Sequence, residues 1–267
     1  MTVPLGVGLP AIELEGLRLH VVDEAECVER IVDLGAQGRG GWIVTPNLDH
    51  LRLVTRDAGL RALYARADLS VADGMPLVWA CRLQRTPVPA RVAGSDLIWS
   101  LSEAASERGL SVFLLGGDPG TADEAAARLR SLWPALRIAG TACPPHGFEQ
   151  RAEVVDEVCR GLVAARPDLV YVALGTPKQE LLIDRLRASL PAAWWMGVGA
   201  GFTFVAGRVP RAPAWIRRLG LEWLHRLLHE PRRLARRYLV DDLPFGAALM
   251  ARCALRGLRA RPAPPAD

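Results

Sequence analysis

A chain of 267 residues, half of them hydrophobic, is long enough for one large α/β domain, alone or with an appendage. The net charge of +4 is mild, and the five scattered cysteines include no CxxC pair, which is typical of reduced thiols in a cytosolic protein and argues against a disulfide scaffold. The opening residues lack the basic start of a signal peptide, and the Gly-rich uncharged stretch ending at Gly207 reads as a strand and a loop, so no membrane-spanning helix is expected.

Short apolar runs alternate along the chain with longer helical stretches, the pattern of a parallel sheet with crossover helices. Residues 12–22 come first and alternate polar with apolar side chains, which predicts an antiparallel hairpin at the sheet edge. Strands are predicted at 41–44, 69–72, 112–115, 136–140, 169–174 and 193–198. Helices are predicted at 48–65, 96–108, 121–132, 151–165 and 179–188. The sequence therefore predicts an α/β fold with a mostly parallel sheet.

Polar, Gly and Pro residues follow five of these strands, in the stretches TPNLDH, DGMP, GGDPGT, GTPKQE and GAGF. Ligands of open α/β sheets bind outside the carboxyl ends of the strands, so we expect the five loops to share one functional edge. Asp73 ends the second apolar run directly before Gly74 and Pro76. This position favours a site residue over an ordinary loop acid.

The Gly-rich turn at Gly116, Gly117 and Asp118 precedes a predicted helix, and such turns offer backbone N–H groups to phosphate. It is equally compatible with a plain strand-to-helix turn, because it matches neither common nucleotide fingerprint. The stretch GVGAGF lacks the acidic residue expected downstream of a dinucleotide site. With no HExxH motif, Cys/His cluster or DxD triplet, the chain is expected to bind no metal and to neutralise phosphate charge with Arg side chains and backbone amides.

The tail region concentrates positive charge. Residues 208–237 hold nine Arg against two Glu, a local balance of +7 that leaves −3 for the rest of the chain. Ile216, Leu219, Trp223 and Leu227 fall on one helical stripe, which suits either a helix packed on the core or an amphipathic helix on a membrane surface. Nucleic acid is less favoured, because the aromatic residues lie in the apolar stripe.

Seven motifs in order resemble the WecG/TagA/CpsF glycosyltransferases, glycosyltransferase family 26. They are TPNLDH, ADGMPLVW, RVAGSDL, FLLGGDPG, PDLVYVALGTPKQE, GVGAGF and the Arg-rich stretch from Arg211 to Tyr238. The resemblance implies a Rossmann-like, mostly parallel sheet with flanking helices, plus a C-terminal basic amphipathic helical appendage that closes the site and touches the membrane. We accordingly divide the chain into a catalytic core (1–207), an appendage (208–260) and a disordered tail (261–267).

The implied activity is inverting and metal-independent, without a cofactor, at the cytoplasmic face of the membrane. It transfers N-acetylmannosamine-type, uronic acid or glucose residues from a UDP-sugar to an undecaprenyl-diphosphate-linked acceptor.

The resemblance also assigns roles to residues. Asp73 matches the general base, Thr45 and Asn47 the polar pair beside it, and Arg91 and Gln179 further site positions. The appendage arginines Arg226, Arg233 and Arg236 match diphosphate-binding positions, and the loop residues Gly116, Gly117, Asp118 and Gly175 complete the expected substrate site.

Independent chemistry agrees, because inverting displacement needs one base, and an Asp is mostly ionised at neutral pH. Thr45 and Asn47 also precede a helix, so either can instead be a helix cap. Thr203 stands where relatives often have Asp, which leaves the donor sugar open.

Two other functions remain open from the sequence. One is a different Rossmann-type enzyme that uses NAD or SAM, and the other is an Arg-rich protein that binds nucleic acid.

Overall fold

The computed structural model describes residues 9–210, 212–213, 216, 222–229 and 231–259, apart from the side chains of Arg226, His229 and Arg233. The predicted disordered tail, 261–267, lies outside the described residues.

A six-stranded, all-parallel sheet forms the centre of the molecule, in the order β4-β3-β8-β7-β5-β6. The strands are β3 (Gly41–Val44), β4 (Leu69–Ser70), β5 (Ser111–Gly116), β6 (Arg137–Ala142), β7 (Leu169–Ala173) and β8 (Trp194–Gly197). The inner strands β5 and β7 are buried along their whole length, as expected for a sheet covered on both faces. Apolar clusters fill both faces. The predicted strands and the Rossmann-like fold class are thus confirmed.

The predicted hairpin is present as β1 (Ala11–Leu14) and β2 (Leu17–His20), paired antiparallel in a separate two-stranded sheet. It lies beside the edge strand β4, where the Ser70 N–H donates to His20 Nδ1 at 3.0 Å. Burial is the main cause that lowers the pKa of His20. A neutral imidazole therefore joins the hairpin to the sheet.

Helices cover the sheet on both sides. They are α1 (Glu24–Ala36), α2 (Leu48–Arg56), α3 (Ala58–Tyr64), α4 (Met75–Leu83), α5 (Gly94–Arg108), α6 (Thr121–Leu132), α7 (Ala152–Ala165), α8 (Lys178–Leu186) and α9 (Gly201–Val205), with 3₁₀ turns at Phe148–Gln150 and Arg187–Ser189. The predicted helix 48–65 is two helices, because Asp57 leaves the helical conformation and caps α3 by accepting from the Leu60 N–H at 3.0 Å. Helices α1, α4 and α9 are additions to the prediction, and α9 lies in the stretch before Gly207 that was expected to be a loop.

The chain ends in α10 (Glu222–His229), α11 (Pro231–Ala235), a π-helical stretch (Arg236–Asp242) and α12 (Leu243–Arg259), together called the C-terminal helices. Leu249 and Cys253 of α12 are buried in the same cluster as Val78 and Cys81 of α4. Helix α12 follows the Arg-rich region in the sequence. Because it packs into the core, it also contributes to the stability of the core. The boundary proposed at 207/208 stays a prediction.

Candidate active site

A cavity of about 380 Å³ lies where the loops after β3 and β4 meet the C-terminal helices. Its polar wall includes Asn47, Asp73 and Arg91, which were all predicted from the sequence. The rest of its lining is mainly apolar, and it combines core side chains with side chains of the C-terminal helices. These apolar side chains include Met75, Trp79, Trp223, Leu243 and Met250. The cavity thus joins a polar edge of the sheet to an apolar surface.

Asp73 lies just beyond the carboxyl end of β4. Its N–H donates to the Pro46 carbonyl at 2.9 Å, which fixes the loop after β4 against the loop after β3. The next residue, Gly74, has φ +118, a conformation that favours glycine and turns the chain into α4. One carboxylate oxygen of Asp73 accepts from the Gly94 N–H at 3.4 Å, and the other lies 3.8 Å from Arg91 Nη1.

The proton affinity of Asp73 differs from that of an ordinary aspartate. Burial is the largest cause and raises its pKa to about 7, with Glu222 and Asp96 adding to the rise and Arg91 opposing it. Asp73 is therefore partly protonated at neutral pH, whereas the sequence suggested a mostly ionised carboxylate. A pKa near the working pH suits a general base, because such a group both takes and releases a proton readily.

Arg91 is shared among three carboxylates. Its Nη2 donates to Asp96 Oδ2 at 2.5 Å, while its Nη1 lies 3.5 Å from Glu222 Oε2 and 3.8 Å from Asp73 Oδ1. The guanidinium is largely buried, with 16 % of the side chain exposed. Arg91 thereby links the predicted base to α5 and to the first of the C-terminal helices.

Asn47 and Thr45 lie on the loop after β3. Asn47 caps α2, since its Oδ1 accepts from the N–H groups of Asp49 and His50 at 3.1 and 3.2 Å, and it also borders the cavity. Thr45 is half-buried against Gly94, where an added Cβ would lie 2.9 Å from Thr45 Oγ1. Both residues therefore lie near Asp73, and Asn47 has the capping role that its position before a helix suggested.

Gln179 connects two loops of the same sheet edge. Its buried side chain accepts at Oε1 from the N–H groups of Gly175 and Gly199, at 3.2 and 3.0 Å, and donates from Nε2 to Glu180 Oε1 at 3.0 Å. A Cβ on Gly197 would lie only 2.4 Å from Gln179 Nε2, so glycine leaves the necessary room there. Gln179 and Gly175 thus hold the loops after β7 and β8 together.

The Gly-rich turn after β5 lies at the same edge but outside the lining of the described cavity. Gly116 and Gly117 both have positive φ, and the Gly117 N–H donates to the Ala173 carbonyl at 2.7 Å. Asp118 is exposed, and its carbonyl accepts from the N–H and the hydroxyl of Thr121. The Gly117 N–H and the Asp118 carbonyl therefore have partners within the protein.

Four charged residues join α2 to the C-terminal helices, and sequence reasoning gave them no role. Arg237 Nε lies 3.1 Å from Asp49 Oδ2 and 3.6 Å from Asp242 Oδ2, and Arg52 Nε lies 3.3 Å from Asp242 Oδ1. Burial and the nearby Asp49 raise the pKa of Asp242 to about 6. The motif TPNLDH and the Arg-rich run contained Asp49 and Arg237, but no sequence spacing indicated that they meet.

A second cluster of polar side chains, formed by His50, Thr176 and Glu180, lies beneath the loops after β3 and β7. His50 Nε2 lies 2.9 Å from Thr176 Oγ1, and the Thr176 hydroxyl donates to Glu180 Oε1 at 3.1 Å. Burial, the largest cause, and Arg237 lower the pKa of His50 to about 4, so its imidazole is neutral near pH 7. This chain of contacts extends from α2 to Gln179.

Of the three arginines predicted to bind diphosphate, the structure describes the side chain of Arg236 alone. Arg236 is exposed at the start of the π-helical stretch. The side chains of Arg226 and Arg233 lie outside the described residues, so their positions relative to Asp73 stay a prediction.

Within the described residues, no group of three or more His, Cys, Asp or Glu side chains is arranged to hold a metal ion. None of the helices in that part of the chain has both the length and the apolar character needed to span a membrane.

The sequence profile of the Glycosyl transferase WecG/TagA/CpsF family matches residues 12–259. The chain therefore belongs to this family, and it is a glycosyltransferase of cell-surface polysaccharide synthesis. The resemblance drawn from the seven motifs is confirmed, and the match favours a transferase over both alternatives considered from the sequence.

Proposed function

We propose that this family member transfers a sugar with inversion from a UDP-sugar to an undecaprenyl-diphosphate-linked acceptor, without a metal ion. The observation that carries the proposal is Asp73, a carboxylate that borders the cavity with its pKa raised to about 7. Direct displacement at an anomeric carbon needs one base for the attacking hydroxyl and positive charge for the leaving UDP. A single poised carboxylate with arginines nearby suits that reaction.

In the proposed reaction, Asp73 takes the proton of the acceptor hydroxyl as its oxygen bonds to the anomeric carbon. The bond from that carbon to the UDP oxygen breaks on the opposite face, and UDP leaves with the bonding electron pair. Asn47 and Thr45 orient the sugar or the base. Arg91 lies beside Asp73 and stabilises its ionised form.

Charge on the diphosphates is assigned to the appendage arginines, Arg226, Arg233 and Arg236, and no cofactor is needed. The Gly-rich turn after β5 and Gly175 are assigned to the donor side. The transferred sugar is N-acetylmannosamine-type, uronic acid or glucose, and Thr203 on α9 leaves the choice open.

We further propose that the enzyme works on the cytoplasmic face of the membrane as a peripheral protein. Leu228, Leu239 and Val240 of the C-terminal helices are exposed, and the exposed Arg232 and Arg236 belong to the same helices. Apolar side chains flanked by arginines suit an anionic lipid surface, where each basic residue contributes about 1 kcal/mol.

Turnover of a panel of UDP-sugars on a lipid-diphosphate-sugar analogue tests the proposal, with the product anomer read by NMR. We expect one donor to give inverted product, EDTA to have little effect, and Asp73→Asn to lower transfer by about 10²-fold or more while UDP still binds. The matched control is Asp33→Asn, at a half-exposed carboxylate on α1. Full turnover by Asp73→Asn would contradict the assignment of Asp73 as the base. Loss of activity with EDTA that Mn²⁺ restores would contradict metal independence.

A further inference from the structure

Glu222 brings a second carboxylate to Arg91 from a distant part of the chain. It lies at the start of α10, 131 positions after Arg91, and its Oε2 is 3.5 Å from Arg91 Nη1. The Glu222 side chain is 22 % exposed and borders the cavity that contains Asp73. The contact therefore crosses the cavity between the core and the C-terminal helices.

The same nitrogen of Arg91 serves both carboxylates. Nη1 is 3.8 Å from Asp73 and 3.5 Å from Glu222, whereas Nη2 is occupied by Asp96. At 3.8 Å the pairing with Asp73 is long, since charge-assisted hydrogen bonds are about 2.7–2.9 Å. Glu222 thus competes with Asp73 for the one guanidinium nitrogen within reach of both.

The position of α10 is fixed by contacts of the C-terminal helices. Trp223, next to Glu222, meets Tyr238 edge to face with ring centroids 6.1 Å apart. Arg237, next to Tyr238, pairs with Asp49 on α2. Glu222 therefore reaches Arg91 because the C-terminal helices are docked on α2.

We propose that Glu222 is a positioning residue of the transfer reaction, one that holds Arg91 back from a close pair with Asp73 and so leaves the Asp73 carboxylate able to accept a proton. The proposal rests on the proposed function, because it takes Asp73 as the base. A carboxylate in a close pair with Arg holds its proton weakly and is a poorer base, whereas one that shares its cation keeps a higher proton affinity.

The charges that face Asp73 agree with a proton affinity that Glu222 keeps high. Among the described residues, Arg91 from the loop before α5 is the cation that lies within 4 Å of the Asp73 carboxylate, while Asp96 of α5 and Glu222 of α10 both raise the proton affinity of Asp73. The charged groups farther along the same cavity are Asp49, Arg237 and Asp242, which pair with one another and with Arg52. Removing Glu222 takes one negative charge from beside Asp73 and frees Nη1 to approach it.

Glu222→Gln in the full-length enzyme tests the proposal by a readout that does not depend on turnover. Carboxyl ¹³C NMR titration, with the Asp73 signal assigned by its loss in Asp73→Asn, should show the pKa of Asp73 falling by about one unit or more. The acid limb of the pH–rate profile should move down by the same amount, and turnover above pH 8 should fall because the base is weaker. Glu222→Asp should give an intermediate shift, and it replaces the first variant if Glu222→Gln does not fold.

Glu107→Gln, at an exposed position near the far end of α5, is the matched control and should change neither the pKa nor the profile. An unchanged pKa of Asp73 in both Glu222 variants would overturn the proposal. So would a rise in KM at constant pKa, since it would indicate that Glu222 touches substrate. If Asp73→Asn itself keeps full activity, the proposed function loses its base, whereas the NMR titration still reports whether Glu222 acts on Asp73.

Discussion

Arg52 Nε lies 3.3 Å from Asp242 Oδ1, and this contact joins residues 190 positions apart. Arg52 is on α2, the helix that Asn47 caps, and Asp242 ends the π-helical stretch. Both side chains are buried, with 11 and 8 % exposed. The wall of the cavity that carries Asn47 and the helices that cover it are therefore joined by a buried ion pair.

Arg52→Met should destabilise the protein in a pH-dependent way. The substitution leaves Asp49 and Asp242 with Arg237 alone, and breaking a buried pair costs about 3–5 kcal/mol. The pKa of Asp242 is already raised to about 6, and loss of Arg52 raises it further. Protonation of Asp242 removes the unpaired charge, so the loss of unfolding free energy should be largest at pH 7 and smaller at pH 5.

Urea unfolding at the two pH values measures this effect. Arg56→Met is the control, because Arg56 is exposed on the same helix. An equal loss at both pH values would mean that Arg52 stabilises the protein by packing alone.

Asp73→Asn should stabilise the protein at alkaline pH although it removes the base. An acid whose pKa is higher in the folded state binds protons more tightly there, so stability falls as the pH rises from about 4 to about 7 and stays low above that. The rise in the pKa of Asp73 from 3.8 to about 7 corresponds to a loss of about 4 kcal/mol at most in the free energy of unfolding. Because 25 % of the side chain is exposed, we expect about 2 kcal/mol, or several degrees in Tm.

Thermal unfolding of both proteins between pH 4 and pH 8 provides the measurement. The two curves should approach each other as the pH falls to 4, where Asp73 is protonated in the folded protein and nearly half protonated in the unfolded chain. A Tm difference that does not depend on pH would contradict the raised pKa.

Substitution of Gln179 should lower stability and transfer together. Gln179→Leu removes the acceptor for two backbone N–H groups and the donor to Glu180, a loss of about 1–3 kcal/mol. Gly197→Ala should have a similar effect, because its Cβ would displace the Gln179 amide. Chemical unfolding and kcat/KM measured on both variants test the prediction. Lower activity at unchanged stability in Gln179→Leu alone would instead indicate direct contact with substrate.

Much of the core could be predicted from the sequence because its signals are local. Short apolar runs bounded by Gly and Pro located all six parallel strands, and the rule that ligands lie at the carboxyl ends of strands placed Asp73 and Asn47 at one edge. Arg91 was expected at the site from the family resemblance alone. The split at Asp57 was missed because a single capping side chain decides it. Helix α1 was also missed, although Asp23 and Glu26 form a capping box that signals its start.

The contacts that complete the site could not be predicted, because they depend on which distant segments meet. Glu222 and Arg237 lie in a charged helical region whose polar residues look like a solvated face. Only the packing of the C-terminal helices on α2 brings them to Arg91 and Asp49. The raised pKa of Asp73 has the same origin, since burial depends on what covers the cavity.

Charged substitutions on the exposed apolar face of the C-terminal helices should release the enzyme from anionic liposomes. Leu228 and Val240 are 72 and 64 % exposed, and burying such a side chain in lipid contributes about 1.5–3 kcal/mol. Leu228→Asp or Val240→Asp should therefore weaken co-sedimentation by about tenfold or more, since each 1.4 kcal/mol is tenfold. Turnover of a soluble acceptor should stay unchanged, because neither side chain lines the cavity of the described residues.

Leu181→Asp is the matched control, at a leucine on α8 of the core that is 57 % exposed. If all three variants bind liposomes as well as the unchanged protein does, the membrane contact lies on another surface. If all three lose binding equally, the protein adheres to liposomes nonspecifically.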